Sequence, residues 1–317
     1  MGTIIITGAN GSLALPAVEH LLTNAPGSTL VLTVRNDSDS DTNTKALRGV
    51  VAKYPNARVS IRALDLAHLD AVYMFARASI VCNAYYWNLA RPLELTADGF
   101  EKSIQVAHIA HVALVLPLLD NFGPQGRIVL FASDAYEPGK NNLEVFPPSI
   151  PDDDGELDRL VRPTADAATD NFGHGFLRYA KSKLAIVLWG HALNRRLQED
   201  PKLRNITAVI INPGNLYDSR ALRVNTPFKL VLLSKLVVRP LGYLLHFSDP
   251  TMRTAATAGV DVARLATNNA LPGERGYLLL LNKTESSPDS RVEAKQDLVW
   301  AKSAEWAGVA GDAAPLG

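Results

Sequence analysis

The sequence predicts a doubly wound parallel α/β sheet, a three-layer α/β/α sandwich, on three observations. Short β-branched runs alternate with longer amphipathic stretches along the chain. The runs are apolar at nearly every position, as strands covered on both faces of a parallel sheet require, whereas a half-solvated sheet would alternate. The first run passes directly into a glycine-rich turn, where strand hands over to helix in folds of this class. Sheets wound this way bind ligands in the crevice at the carboxyl ends of their strands.

The first strand is read at residues 3–7 and the first helix at 12–23, joined by Thr7-Gly8-Ala9-Asn10-Gly11-Ser12-Leu13-Ala14. A second strand at 29–34 ends in Arg35-Asn36 and leads to a helix at 44–53, and a third at 59–63 ends in Asp65-Leu66. Residues 80–82 form a buried strand followed by Asn83-Ala84-Tyr85, and 99–119 a long apolar helix. The strand at 127–131 leads to Ser133, and the strand at 206–211, after a helix at 179–197, leads to Pro213-Gly214. A helix at 251–266, a last strand at 276–281 and a polar helix at 291–306, with Trp300 and Trp306 as anchors, complete one domain spanning 1–317. Residues 136–175 break the rhythm: Pro147-Pro148 and Asp152-Asp153-Asp154-Gly155 mark an inserted surface loop, longer than compact domains carry without a purpose. Its acidic triplet is read as a solvated loop rather than as a cation site.

Composition excludes several functions. With 32 Lys plus Arg against 32 Asp plus Glu, the chain lacks the excess of positive charge that general nucleic-acid binding needs, and a small-molecule substrate is the expected partner. One cysteine, Cys82, excludes a disulfide framework and a thiolate metal cluster. The N-terminal residues leave no room for a secretory signal before the glycine turn, so a cytoplasmic location is expected. The most apolar window, 228–247, is interrupted by Lys229, Lys235, Arg239 and Pro240. A central Lys or Arg costs about 2.5 to 3.5 kcal/mol on insertion scales, which argues against a spanning helix. Residues 215–250 are read as an apolar lid over the substrate, in preference to peripheral membrane contact.

Two constellations carry chemistry. Glycines in the turn after the first strand let a pyrophosphate approach the N–H groups and dipole at a helix N-terminus. The pattern is TGxxGxxA, with Ala14 at the helix-packing position. Arg35 stands where an acidic residue would take a ribose hydroxyl and select NAD, so it favours a 2′-phosphate and NADP. Tyr179 and Lys183 lie one turn apart on one helix face. A phenol is a poor acid or base near neutrality until a cation stabilises its phenolate.

These motifs, with DGFEKSIQVAHIAHVALVLPLL at 98–119 and YAKSKLAIVLWGHALNRRL at 179–197, resemble the short-chain dehydrogenase/reductase superfamily over nearly the whole chain. The likeness is greatest to retinol-dehydrogenase-like and fungal secondary-metabolism reductases. The resemblance implies a Rossmann fold that binds NADP through Thr7, Gly8, Asn10, Gly11, Ser12, Leu13, Arg35, Asp65, Leu66, Asn83, Ala84, Tyr179, Lys183, Pro213, Gly214 and Leu216. It implies Ser133 as holder of the oxyanion, Tyr179 as proton donor and Lys183 as the cation that tunes Tyr179 and grips the ribose. It also suggests a homodimer through the long helices, unless these are covered within one chain.

Three departures stand out. The family's helix asparagine is Ala107, so its water relay is weakened or rerouted. Tyr85 replaces a glycine and, with Trp87, either shapes a pocket for a flat substrate or packs the lid, with Tyr217 as a further substrate contact. Tyr179 lies 46 positions after Ser133, far beyond the family's usual spacing. His108 and His111 form an H-x-x-H pair without a third ligand, read as packing rather than as a metal site. The first functional reading is a reductase or dehydrogenase of an apolar metabolite; the alternative is an NADP-binding isomerase, cyclase or dehydratase.

Overall fold

The computed structural model describes residues 2–73, 79–123, 125–164 and 170–309. Its strands are β1 (Thr3–Ile6), β2 (Thr29–Val34), β3 (Arg58–Ala63), β4 (Ser79–Cys82), β5 (Arg127–Phe131), β6 (Thr207–Asn212), β7 (Asn215–Leu216), β8 (Met252–Arg253), β9 (Gly276–Leu279) and β10 (Asn282–Lys283). Its helices are α1 (Ala14–Asn24), α2 (Thr42–Val51), α3 (Leu69–Tyr73), α4 (Lys102–Ile104), α5 (Ala110–Val115), α6 (Asp154–Val161), α7 (Asn171–Glu199), α8 (Phe228–Leu233), α9 (Arg239–Leu245), α10 (Ala255–Ala266) and α11 (Glu293–Trp306). Eight strands form one sheet in the order β10-β9-β6-β5-β4-β1-β2-β3, parallel except for β10, and β7 pairs with β8 apart from it. The strand order reverses between β1 and β4, and the crevice lies at their carboxyl ends.

The near-continuous apolar runs divide by parity between two cores. Ile5, Ile80, Ile128, Leu130 and Ile210 face α5, α7 and α11, while Ile4, Ile6, Val81, Val129 and Ile211 face α1 and α10. Each face is covered by helices, so alternate residues of a strand meet different apolar layers, and the buried polar exceptions lie towards strand ends, as Arg127, Thr207 and Asn212 do. Cys82 is buried in the first core, where burial pushes its thiol pKa up and leaves it a packing residue.

The segment 136–175 departs from the surface loop expected of it. It contains α6, whose N-terminus is capped by Asp153 accepting from the Glu156 amide, and Ile150, Leu157 and Val161 enter the main core. Asp152 pairs with Lys295, and Asp158 accepts from Lys302 and from the Trp306 indole at 2.8 Å. The acidic cluster therefore caps a helix and ties it to α11. Residues 165–169 of the segment lie outside the described residues, and its last five residues already belong to α7. That helix begins at Asn171, eight residues before Tyr179, through a stretch with two glycines. A Cβ at Gly175 would stand 2.3 Å from the Asn88 carbonyl, so close packing demands what helix propensity disfavours. On its outer side α11 covers α7 and α5, with Trp300 stacked on Trp189 at 5.8 Å.

Candidate active site

The glycine turn is built by its neighbours. Gly8 has φ +61°, and a Cβ there would sit 3.3 Å from Ala84, so glycine satisfies both backbone angle and space. Asn83, at the end of β4, donates its side-chain amide to the carbonyls of Thr7 and Gly8 at 3.0 and 3.1 Å. Thr7 is fully buried, and its hydroxyl accepts from the Ala84 amide. Thr7 and Asn83 thus shape the turn with their side chains. Asn10 donates to Thr44, and Leu13 packs into the second core. The N–H groups of Ser12 and Leu13 have no protein acceptor at the start of α1, the arrangement that receives an anion.

Around this turn lie the other residues expected at a dinucleotide site. Arg35 is exposed immediately after β2. Asp65 is half-buried, with one carboxylate oxygen accepting from the Ala67 amide, while Leu66 is buried in the first core. Gly214 has φ +83°, a Cβ would stand 2.4 Å from the Thr251 carbonyl, and Leu216 packs against the second core.

Ser133, Tyr179 and Lys183 converge despite their separation in sequence. Ser133 caps the turn after β5, its hydroxyl donating to Asp134 at 3.1 Å and accepting from the Ala135 amide at 3.3 Å. Burial, with the neighbouring Tyr85, pushes the Tyr179 pKa up, so the phenol is held protonated. Lys183 is buried and donates to the Phe131 carbonyl at 3.0 Å, and burial brings its pKa down to about 7. Its Nζ stands 5.7 Å from the Tyr179 ring and 5.5 Å from that of Tyr85.

Tyr85 and Trp87, expected to shape a pocket or to pack the lid, stand against the Tyr179 ring. Tyr85 is 40% exposed beside Tyr179, with ring centroids 6.0 Å apart. Trp87 meets Tyr179 edge-on at 4.8 Å and donates its indole N–H to Thr226, so it packs the site and holds the start of the lid. Tyr217 lies beneath Gly242 of α9, where a Cβ would stand 2.4 Å from the ring.

Sequence reasoning missed Arg220. Its guanidinium donates to the Asn10 carbonyl at 2.6 Å and to the Ser12 hydroxyl at 3.2 Å, bringing a cation from the lid segment onto the glycine turn. Its only sequence signal is an arginine a few residues after Pro213-Gly214.

At the position of the missing asparagine the helix still bends. Residues Gln105–Ile109 form a π-turn between α4 and α5, and His111 Nδ1 lies 2.9 Å from the Ala107 carbonyl. A carbonyl only accepts, so Nδ1 carries the proton, and Nε2, 3.0 Å from the Thr7 hydroxyl, accepts in turn. His108 bonds Ser303 at 2.7 Å.

Known proteins resemble this arrangement. The family model described as the AcuH dehydrogenase domain matches residues 220–316, the third of the chain that holds the lid, α10 and α11. Dehydrogenase acuH of Aspergillus aculeatus is 48% identical over 86 residues, covering 27% of this chain and 88% of that protein. Short-chain dehydrogenase iccH of Talaromyces variabilis is 26% identical across 96% of this chain and 95% of its own length. The chain belongs to the short-chain dehydrogenase/reductase superfamily. A solved short-chain dehydrogenase/reductase from Serratia marcescens superposes with a TM-score of 0.54 at 17% identity, covering 87% of this chain and 96% of that one. A blue fluorescent protein from a metagenomic library, solved with NADPH, gives 0.55 at 21% identity over 87% and 95%. Position 107, where the sequence resemblance leads one to expect an asparagine, is an alanine within the π-turn, and its carbonyl accepts from the His111 ring.

Proposed function

We propose that the protein is an NADPH-dependent oxidoreductase that moves a hydride between the nicotinamide and a carbonyl or hydroxyl carbon of an apolar, polyketide-like or aromatic metabolite. The observation that carries this reading is Tyr179 standing over Lys183, which is bonded to the end of the strand that leads to Ser133, beside an anion-receiving turn. The unpartnered N–H groups of Ser12 and Leu13, with Arg220, fit a pyrophosphate, and the exposed Arg35 fits a 2′-phosphate. When bound, the nicotinamide nucleotide supplies or receives the hydride. Ser133 holds the substrate oxygen as charge develops on it. Tyr179, kept protonated by burial, donates its proton to that oxygen. Lys183, charged or neutral close to pH 7, adjusts the phenol from one turn away. Tyr85 and Trp87 form an apolar wall suited to a flat substrate. A reducing, cytoplasmic setting suits the buried Cys82 thiol.

A second reading, an isomerase, cyclase or dehydratase that retains NADP, draws on Ala107 in place of the family's asparagine and on His111, which takes one lone pair of the Ala107 carbonyl. Incubation with NADPH and a panel of apolar carbonyl compounds separates the two. Loss of reduced-nicotinamide absorbance is expected. Tight NADPH binding with a substrate rearranged and no net cofactor consumption would establish the second reading instead.

A further inference from the structure

We infer that segment 228–247, helical as far as Leu245, docks onto an anionic lipid surface. Of the fourteen exposed large apolar side chains among the described residues, nine fall in these twenty positions. Phe228, Leu236, Tyr243 and Phe247 are 77, 65, 72 and 76% exposed, fractions usual for charged surface residues. The helix is continuous from α8 through a π-turn (Ser234–Val238) into α9, and its only buried residues are Ser234 and Gly242. Small residues face the protein and bulky apolar ones face out, the reverse of a helix solvated on its outer side. A helix apolar all round needs an apolar environment all round, and here the body of the protein supplies only one narrow stripe of it.

Charge selects the occupant. Between Asp218 and Asp249 the chain holds five cations, Arg220, Arg223, Lys229, Lys235 and Arg239, and no carboxylate. Lys229, Lys235 and Arg239 are exposed among the apolar side chains. Apolar bulk interspersed with basic residues matches an interfacial helix, whose rings and branched chains enter the acyl boundary while its cations meet lipid phosphates. A second copy packed on this face would bring like charges together with no acid in the segment to pair them. Both ends are tied down, with Trp87 bonded to Thr226 before the helix and Asn215 bonded to Asp249 after it, so docking requires no unfolding of the body. The inference stands apart from the reaction.

Sedimentation of the full chain with vesicles tests it, using phosphatidylcholine alone and phosphatidylcholine mixed with phosphatidylserine. The protein should pellet with the anionic vesicles, less with the neutral ones, and less as salt is raised. The variant K229Q/K235Q/R239Q should lose about two orders of magnitude of partitioning onto anionic vesicles, at roughly a factor of five per cation. The variant F228S/L236S/F247S should lose binding to both, with an unchanged melting temperature because the replaced side chains are exposed. Failure of the parent protein to pellet with anionic vesicles would overturn the inference. So would a parent dimer in analytical ultracentrifugation, without vesicle binding, that F228S/L236S/F247S converts to monomer.

Discussion

The long helix α7 and the lid helix α8–α9 are both rich in apolar residues and both border the site, yet they spend those residues differently. Along α7, Leu184 to Leu193 is almost entirely buried, between the sheet on one side and α11 on the other. Along the lid, only Ser234 and Gly242 are buried, and the bulky residues face away from the body. The first kind of helix carries Tyr179 and Lys183, the residues proposed to react, and close packing fixes their positions. The second helix is held by its ends and by one narrow stripe, Ser234 and Gly242.

The largest expected effect lies on α7. Tyr179→Phe should lower kcat by about a thousandfold, the upper part of the range for general acid catalysis, while NADPH affinity by fluorescence titration stays within about twofold. Next comes a direct contest between the helices. Trp189→Ala should cost ~3–5 kcal/mol in urea unfolding, because the ring is fully buried on Trp300, whereas Leu236→Ala in the lid should change stability by less than ~0.5 kcal/mol. Equal costs would remove the distinction.

Smaller effects test how the lid reaches the turn. Arg220→Ala should weaken NADPH binding about tenfold, the loss expected for charge-assisted bonds to a phosphate, and weaken NADH binding by the same factor. Arg35→Ala should instead remove the preference for NADPH over NADH, so equal affinities in the parent protein would sink the 2′-phosphate assignment. The smallest effect concerns pH. Burial holds His111 and His191 down to about 4 and His108 to about 3, from an ordinary value of 6.5. Protons therefore bind the unfolded chain first, so stability is full above pH 6.5 and falls as pH drops from 6.5 towards 4. Urea midpoints across that range should decline, and His111→Gln should reduce the slope by roughly a third, one titrating group in three.

Much of the site was legible because its parts sit where strands end. β-branched runs placed Gly8, Arg35, Asp65, Asn83, Ser133 and Pro213 at the carboxyl edge before any contact was known, and helical spacing put Tyr179 and Lys183 together. Other parts were not legible, for identifiable reasons. Two glycines at 173 and 175 disguise the first turns of α7, because the close approach of Asn88 outweighs their poor propensity. The Pro- and Asp-rich composition of 136–175 hides α6, which is stabilised by Asp153 as a cap and by Asp158 bonded across to α11. Nothing local marks Arg220, whose partners lie about 210 residues away.

The sequence alone determined the sheet class, the glycine turn and the placing of Tyr179 and Lys183 on one helix face, because strand burial, turn angles and helical spacing are local properties that residue type controls. Only the tertiary structure decided that His111 reaches the Thr7 hydroxyl, that the insertion braces the C-terminal helix, and that the helix after Pro227 turns its apolar bulk outward. Each of these depends on which distant surface meets a given face. A pattern of apolar residues says that a face seeks company, and the fold decides whether the protein itself supplies it.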